Sequence, residues 1–236
     1  MNVAIYSLTR DRLEFTQHCF RTLWDKAGYP LDHYVLDNGS EDGSPAWLRE
    51  QREAGRIHEL VELPRNVGVS IGSNAMLGMI AQLGRYDLVG KVDNDCEVLT
   101  DGILEKLVAC FRDQRRFAEK MALSPRVSGI INQPARIRRM GRGGFIVGVT
   151  GMIGGLFHLV PWEVYREWRY PEDLPLASGQ DDAFCGWLTG HGVAVGYVED
   201  LVVRHYLGTD AQALRYPEYF KRKWIEERTR PDGTAV

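Results

Sequence analysis

The chain has 236 residues, 44% of them hydrophobic and 26% charged, with a formal net charge of −3. This is the balance of an ordinary globular protein long enough to bury a sizeable core, and it excludes a global electrostatic pull toward nucleic acid or anionic membrane. Four scattered cysteines with no C-x-x-C pair exclude a disulfide-stapled secreted fold. The amino terminus lacks the pattern of a signal peptide, and no run approaches the roughly 20 apolar residues that a membrane span needs. The expectation is a cytoplasmic protein without a transmembrane segment, able to sit peripherally at a membrane.

Residues 3–8, "VAIYSL", are a β-prone apolar run that predicts a buried strand, and 13–24 repeat apolar residues at helical spacing, with Asp11 as cap and Gly28 as stop. A second strand over 33–36 runs into the turn-rich "DNGSEDGS". "SPAWLREQREAG" predicts a helix capped by Ser44 with Pro45 in its first turn. A strand or extended segment at 57–64 follows, then a glycine-bearing turn and helix over 66–84, a strand in "YDLVGKVDND", and a helix from Thr100 or Asp101. Such alternation predicts βαβ units and a mostly parallel central sheet flanked by helices, with a ligand crevice at the carboxyl ends of the strands. After residue 120 the alternation weakens. The whole reads as one domain: a nucleotide-binding half over 1–117, a half that closes the site over 118–210, and a helical tail over 211–236.

Several clusters fall just past predicted strands. Asp93 and Asp95 in "KVDNDCEVL" are spaced to bind a divalent cation together with substrate phosphates, or simply to polarise a turn or helix start. An Asp-x-Asp also suits a phosphatase of the haloacid dehalogenase type. There the pair follows the first strand, whereas here it follows the fourth, and Glu97 stands where that type has Thr or Val. Asp37 at a strand end suits a ribose or base contact, or an ordinary loop. "RNVGVSIGSNAM" holds neither a G-x-G-x-x-G nor a Walker lysine. Its Gly68 and Gly72 permit either close approach of a ligand to a helix N-terminus or tight packing. Asp181 and Asp182 precede an apolar run and fit a general base or helix-start acids. His205 fits a metal ligand or a structural histidine.

Taken in order, "SLTR", "LDNGSEDGS", "PRNVGVSIGSNAML", "KVDNDCEV", "GMIGGLFHLVPWEVY" and "GQDDAFCGWL" resemble the inverting family 2 glycosyltransferases over roughly residues 3–206. The resemblance implies the GT-A (nucleotide-diphospho-sugar transferase) fold, a nucleotide-sugar donor with UDP favoured, and Mn²⁺ or Mg²⁺. It implies that Thr9, Asp37, Asn66 and Gly68 serve the nucleotide, Asp93 the ribose or sugar, and Asp95 and His205 the metal. Gly154, Gly155 and Trp187 would belong to the donor-sugar and acceptor cleft, and Asp181 would be the base, with Asp182 as competitor. Gln180 stands where the family commonly has Glu, and a frequent arginine is replaced by Trp187 or absent.

The stretch "ARIRRMGRGG", 135–144, reads as a loop over the site or an anion-recognition loop for a phosphate-rich acceptor: a glycan, a lipid-linked sugar or nucleic acid. "YPEYFKRKWIEER" reads as a peripheral surface helix. The rival functions are the phosphatase, a nucleotidyltransferase and a non-catalytic nucleotide- or carbohydrate-binding protein.

Overall fold

The computed structural model describes residues 1–114, 120–129 and 136–235. Four strands, β1 (Val3–Thr9), β2 (Asp32–Asp37), β3 (Glu59–Glu62) and β4 (Leu88–Val92), lie in the order β3-β2-β1-β4, all parallel. Every residue of β4 is buried, as are six of the seven in β1. That explains why these strands read as continuous apolar runs rather than alternating ones.

Alternate residues of β1 nevertheless serve different cores. Val3 and Ile5 pack with Leu23 of α1 (Leu13–Lys26) and with Leu104 and Leu107 of α4 (Ile103–Gln114). Ala4 and Tyr6 pack with Met76, Leu77 and Ile80 of α3 (Gly68–Leu83). Helix α2 (Ser44–Glu53) packs Trp47 and Leu48 against Phe20 and Val35 in a third cluster. Helices therefore cover both faces of the sheet.

The second half extends that sheet: β5 (Cys96–Val98), β6 (Met121–Ser128), β7 (Arg138–Arg142), β8 (Phe145–Thr150), β9 (Phe157–Pro161) and β10 (Ala194–His205). The full order is β3-β2-β1-β4-β9-β6-β10-β8-β7, with β5 on β10. The expected parallel sheet is found in the first half. Strand β9 enters antiparallel between β4 and β6, and β8 and β7 add antiparallel partners, so the sheet as a whole is mixed. Because β6 runs parallel to β10, the carboxyl end of β10 arrives at the same edge as those of β1 and β4. Helices α5 (Trp162–Tyr165), α6 (Gln180–Gly190), α7 (Gly208–Arg215) and α8 (Pro217–Glu226) complete the fold.

Two caps differ from expectation. Asp11 does not cap α1; Asp11 and Arg12 both take left-handed backbone, with φ of 50° and 56°. The first amide of α1, Leu13 N, instead donates to Asp42 Oδ2 at 2.9 Å. Ser44 is the first residue of α2 rather than its cap, and Asp42 Oδ1 accepts its amide at 2.8 Å. One carboxylate thus serves two helix starts.

Candidate active site

A cavity of about 420 Å³ opens at the carboxyl ends of β1, β2 and β4, bordered by Thr9, Asn38 and Asp93 to Asp95 on one side and by Gln180, Asp181 and Asp182 on the other. The "DND" turn is fixed from within. Asn94 donates to the hydroxyls of Thr9 at 3.2 Å and Thr16 at 3.0 Å, which tethers the turn to the start of α1. Strand β5 follows the turn, so the helix-start reading of this pair fails.

Asp95 sits in a charged knot. Its Oδ2 lies 3.4 Å from Arg12 Nη1 and 3.3 Å from His205 Nε2. Burial favours the neutral acid, but His205 and Arg12 prevail and hold the carboxyl well below the usual carboxylate range. Burial likewise presses His205 down, and the bond to Asp95 overcomes it, so the imidazole is raised. Gln212 is fully buried in α7 and joins the two halves of the knot. It accepts from Arg12 Nη1 at 2.6 Å and donates to Tyr206 O at 2.7 Å, which fixes its amide and makes His205 Nδ1 an acceptor at 3.1 Å. The proton of His205 therefore sits on Nε2, toward Asp95.

Asp93 pairs with Lys91, a buried lysine of β4 that sequence reasoning missed because it interrupts an apolar strand. Burial works against the Lys91 charge, but Asp93 and Asp181 outweigh it and raise the ammonium above its ordinary range. Lys91 Nζ also donates to Gly155 O at 3.2 Å, and Gly155 N donates to Asp181 Oδ2 at 2.8 Å. Gly155 is thus a clip between the two acidic walls, and a side chain there would collide with Asp181. Asp182 borders the same cavity, and its carboxylate has no hydrogen-bond partner among the described residues.

Other expected positions fall differently. Asn66 borders the cavity, but Asp37 and Gly68 do not. Both Asp37 oxygens receive Ser40, from N at 3.1 Å and from Oγ at 2.5 Å, and burial pushes the carboxyl up. The neighbouring Asn38 reaches the wall instead. Three amides at the start of α3 are already taken: Val67 N donates to Asn38, Gly68 N to Asn66 and Val69 N to Leu176 O. Gly72 packs against Leu8 and Leu36 of the sheet, as the packing reading expects, whereas Gly68 takes φ of +85° beside Leu176. Gly154 is exposed beside the Gly155 clip. Trp187 packs on Trp168 and stacks on His191 at 4.3 Å, and does not border the cavity. The aromatic fills a helix face rather than a cleft.

The arginine-rich stretch is a β-hairpin edge, not a loop over the site. Arg139 grips Glu199 with two bonds of 3.0 and 2.6 Å, Arg136 adds a third at 2.8 Å, and Arg142 is buried. Ala135 lies outside the described residues. The carboxy-terminal segment, expected as a surface helix, instead walls the cavity with Tyr219, Lys223 and Glu226 of α8. Tyr219 lies against the Arg12 guanidinium at 4.3 Å, and Glu226 pairs with Arg10. Its sequence signal was the spacing 219, 223, 226, one face of a helix.

A divalent cation fits this donor set. Among the described residues no three His, Cys, Asp or Glu side chains surround one point. Asp95 and His205 do converge, with Asp93 two residues away, and Mg²⁺ commonly takes one or two carboxylates and draws its remaining ligands from water and phosphates. Ligation through His205 requires its Nε2 proton to leave.

Residues 5–119 match the family described as Glycosyl transferase family 2. The fold is the GT-A fold. Solved structures similar to the chain include S. aureus TarS 1–349 in complex with UDP-GlcNAc, at 15% identity and TM-score 0.63, covering 90% of this chain and 61% of that one. A second is the mannosyltransferase PcManGT from Pyrobaculum calidifontis in complex with GDP-Man and Mn²⁺, at 16% identity and TM-score 0.63, covering 100% and 66%. A third is GalNAc-T7 with UDP, GalNAc and Mn²⁺, at 10% identity and TM-score 0.66, covering 87% and 44%. The chain therefore spans less than two-thirds of the length of each. No curated protein matches it. Among the described residues no helix is long and apolar enough to cross a membrane.

Proposed function

We propose that the chain transfers a sugar from a nucleoside-diphosphate donor, UDP-sugars first, to an acceptor hydroxyl of a glycan or lipid-linked glycan, with inversion at the anomeric carbon. The observation that carries this reading is the Asp93–Lys91–Gly155–Asp181 chain. It holds a carboxylate on one wall of the cavity at a fixed relation to the "DND" turn on the other. Donor contacts fall to the amino-terminal half and the base to the residues after 118, with the 211–236 tail closing the cavity.

Asp181 Oδ2 is occupied by the Gly155 amide, so Oδ1 takes the acceptor proton. As the hydroxyl oxygen bonds to the anomeric carbon from that side, the bond from carbon to the diphosphate oxygen breaks on the other. The electron pair leaves on the diphosphate. Arg12 stands where that charge develops. The cavity wall carries Arg10, Arg12, Lys91 and Lys223 against Asp93, Asp95, Asp181, Asp182 and Glu226, one more acid than base. A diphosphate enters such a site against the charge unless a cation comes with it. Asp95, with Asp93 and His205 beside it, is placed to hold Mn²⁺ or Mg²⁺, which when bound neutralises the departing diphosphate.

The match of residues 5–119 to family 2 and the GT-A fold favour the transferase over the phosphatase reading. A cytoplasmic location fits four cysteines that are all free and buried, and the exposed Trp224 and Ile225 of α8 suit peripheral contact with a membrane. The test is release of nucleoside diphosphate from a panel of nucleotide-sugars with and without Mn²⁺, beside Asp95→Ala. Mn²⁺-dependent release from one donor, lost in the variant, is expected. Neither release nor nucleotide binding would overturn the reading.

A further inference from the structure

We infer that Lys223 of α8, outside the segment that matches family 2, is a binding residue for the donor's diphosphate, acting together with Arg12. The inference rests on the donor reading above. Tyr219, Lys223 and Glu226 stand at i, i+4 and i+7, so they share one helix face, and all three border the cavity.

That face is held firmly. Phe220 is buried beneath the helix, Arg222 Nη2 bonds to Asp11 at 2.8 Å, and Tyr219 stacks on Arg12. Two carboxylates lie one turn on from Lys223: Glu226 is taken by Arg10, and Glu227 forms no salt bridge with Lys223 among the described residues. Each neighbouring cation on these helices has an acid: Arg215 has Glu14, Lys221 has Glu218 and Arg222 has Asp11. Lys223 alone of this group has an ammonium with no hydrogen bond or salt bridge among the described residues; it lies 5.6 Å from the centre of the Phe220 ring.

Lys223 is half-buried and borders the same cavity as Asp93 and Asp95 rather than standing in bulk solvent. A half-buried ammonium beside an acid-rich cavity, with Glu226 diverted, is a poor stabiliser of the apoprotein. It is a suitable partner for a phosphate oxygen. Arg12, stacked on Tyr219 one turn before Lys223, borders the same cavity with a guanidinium already fixed by Gln212, Asn94 and Asp95. A diphosphate in this cavity meets a rigid guanidinium fork from Arg12 and a movable point charge from Lys223.

The test is calorimetric titration of the wild-type chain, Lys223→Gln and Lys223→Arg with UDP, GDP, CDP and ADP in the presence of Mn²⁺. The nucleoside of the tightest binder serves as control. Lys223→Gln should weaken the tightest diphosphate about tenfold or more, the scale of one charge-assisted hydrogen bond, and Lys223→Arg should retain most of the affinity. Nucleoside affinity and the thermal unfolding midpoint should stay unchanged. An unaltered diphosphate affinity in Lys223→Gln would overturn this role and leave the donor reading intact. An equal loss for diphosphate and nucleoside would make Lys223 a structural residue. A wild-type chain that binds none of the four diphosphates would overturn the donor reading, and this role with it.

Discussion

The Gly155 amide donates to Asp181 Oδ2 at 2.8 Å, while the Gly155 carbonyl accepts from Lys91 at 3.2 Å. One peptide segment therefore sets the position of the proposed base relative to the proposed donor subsite. Alanine at 155 would drive its Cβ into the Asp181 carboxylate, and the adjacent Lys91 ammonium leaves little room on the other side. Gly155→Ala should lower kcat about 100-fold, as expected for a misplacement on the order of 1 Å, with an unfolding midpoint near that of the parent. Steady-state turnover of the donor identified in the panel reads the effect.

The two adjacent acids should separate cleanly. Asp181 is oriented by the Gly155 amide, whereas nothing in the described structure orients Asp182. Asp181→Asn should reduce kcat by roughly 10²- to 10⁴-fold with donor binding preserved, and Asp182→Asn by less than about threefold. Equal losses in the two variants would remove the distinction between them.

Stability should fall with acid through two histidines buried in the core. His33 accepts from Trp24 Nε1 at Nδ1 and bonds Ser7 Oγ at 3.0 Å, and His158 bonds the Tyr165 hydroxyl at 2.9 Å. Burial lowers both to about 3. An unfolded histidine titrates near 6.5, so the unfolded chain binds the extra protons. Their contribution is complete above that pH and is lost as pH falls toward 3. Each ring should cost about 1.4 kcal/mol per pH unit between roughly pH 6 and 4. Urea midpoints across that range measure the slope, which His33→Gln should reduce by one histidine's share.

Gly90 lies in the middle of β4, between β1 and β9. A Cβ there would stand 2.6 Å from His158 O and 2.7 Å from Ile5 Cδ1. Gly90→Ala should therefore destabilise by about 1–3 kcal/mol, measured by urea unfolding, through overpacking rather than any effect on the site.

The first half of the fold was legible because buried parallel strands are written as apolar runs, and their carboxyl ends as turn residues. Thr9, Asp93 and Asp95 fall where that rule puts them. The rule marks strand ends, not which residue there faces the crevice, so Asp37 turns inward to Ser40 while Asn38 reaches the wall. Lys91 was hidden because its neighbours in β4 are apolar, and of its two partners Asp93 lies in the turn just past the strand while Gly155 is 64 positions away. Arg12 carries no local signal for its left-handed backbone, which is stabilised by Asn94, Asp95 and Gln212. Helix α8 read as surface because its charges are abundant, but those charges are spent on Asp11 and Arg10 beside the cavity.

The pairing of Arg10 with Glu226 joins residues 216 positions apart at the mouth of the cavity. Synthesis proceeds from the other end. The strands that carry Thr9 and the "DND" turn leave the ribosome long before α8, and until residues 217–226 emerge the cavity lacks a wall. A nascent chain can therefore fold its parallel sheet while still unable to close around a nucleotide. By the same logic, a single proteolytic cut near Tyr216 that released α8 would silence the site and leave the sheet standing.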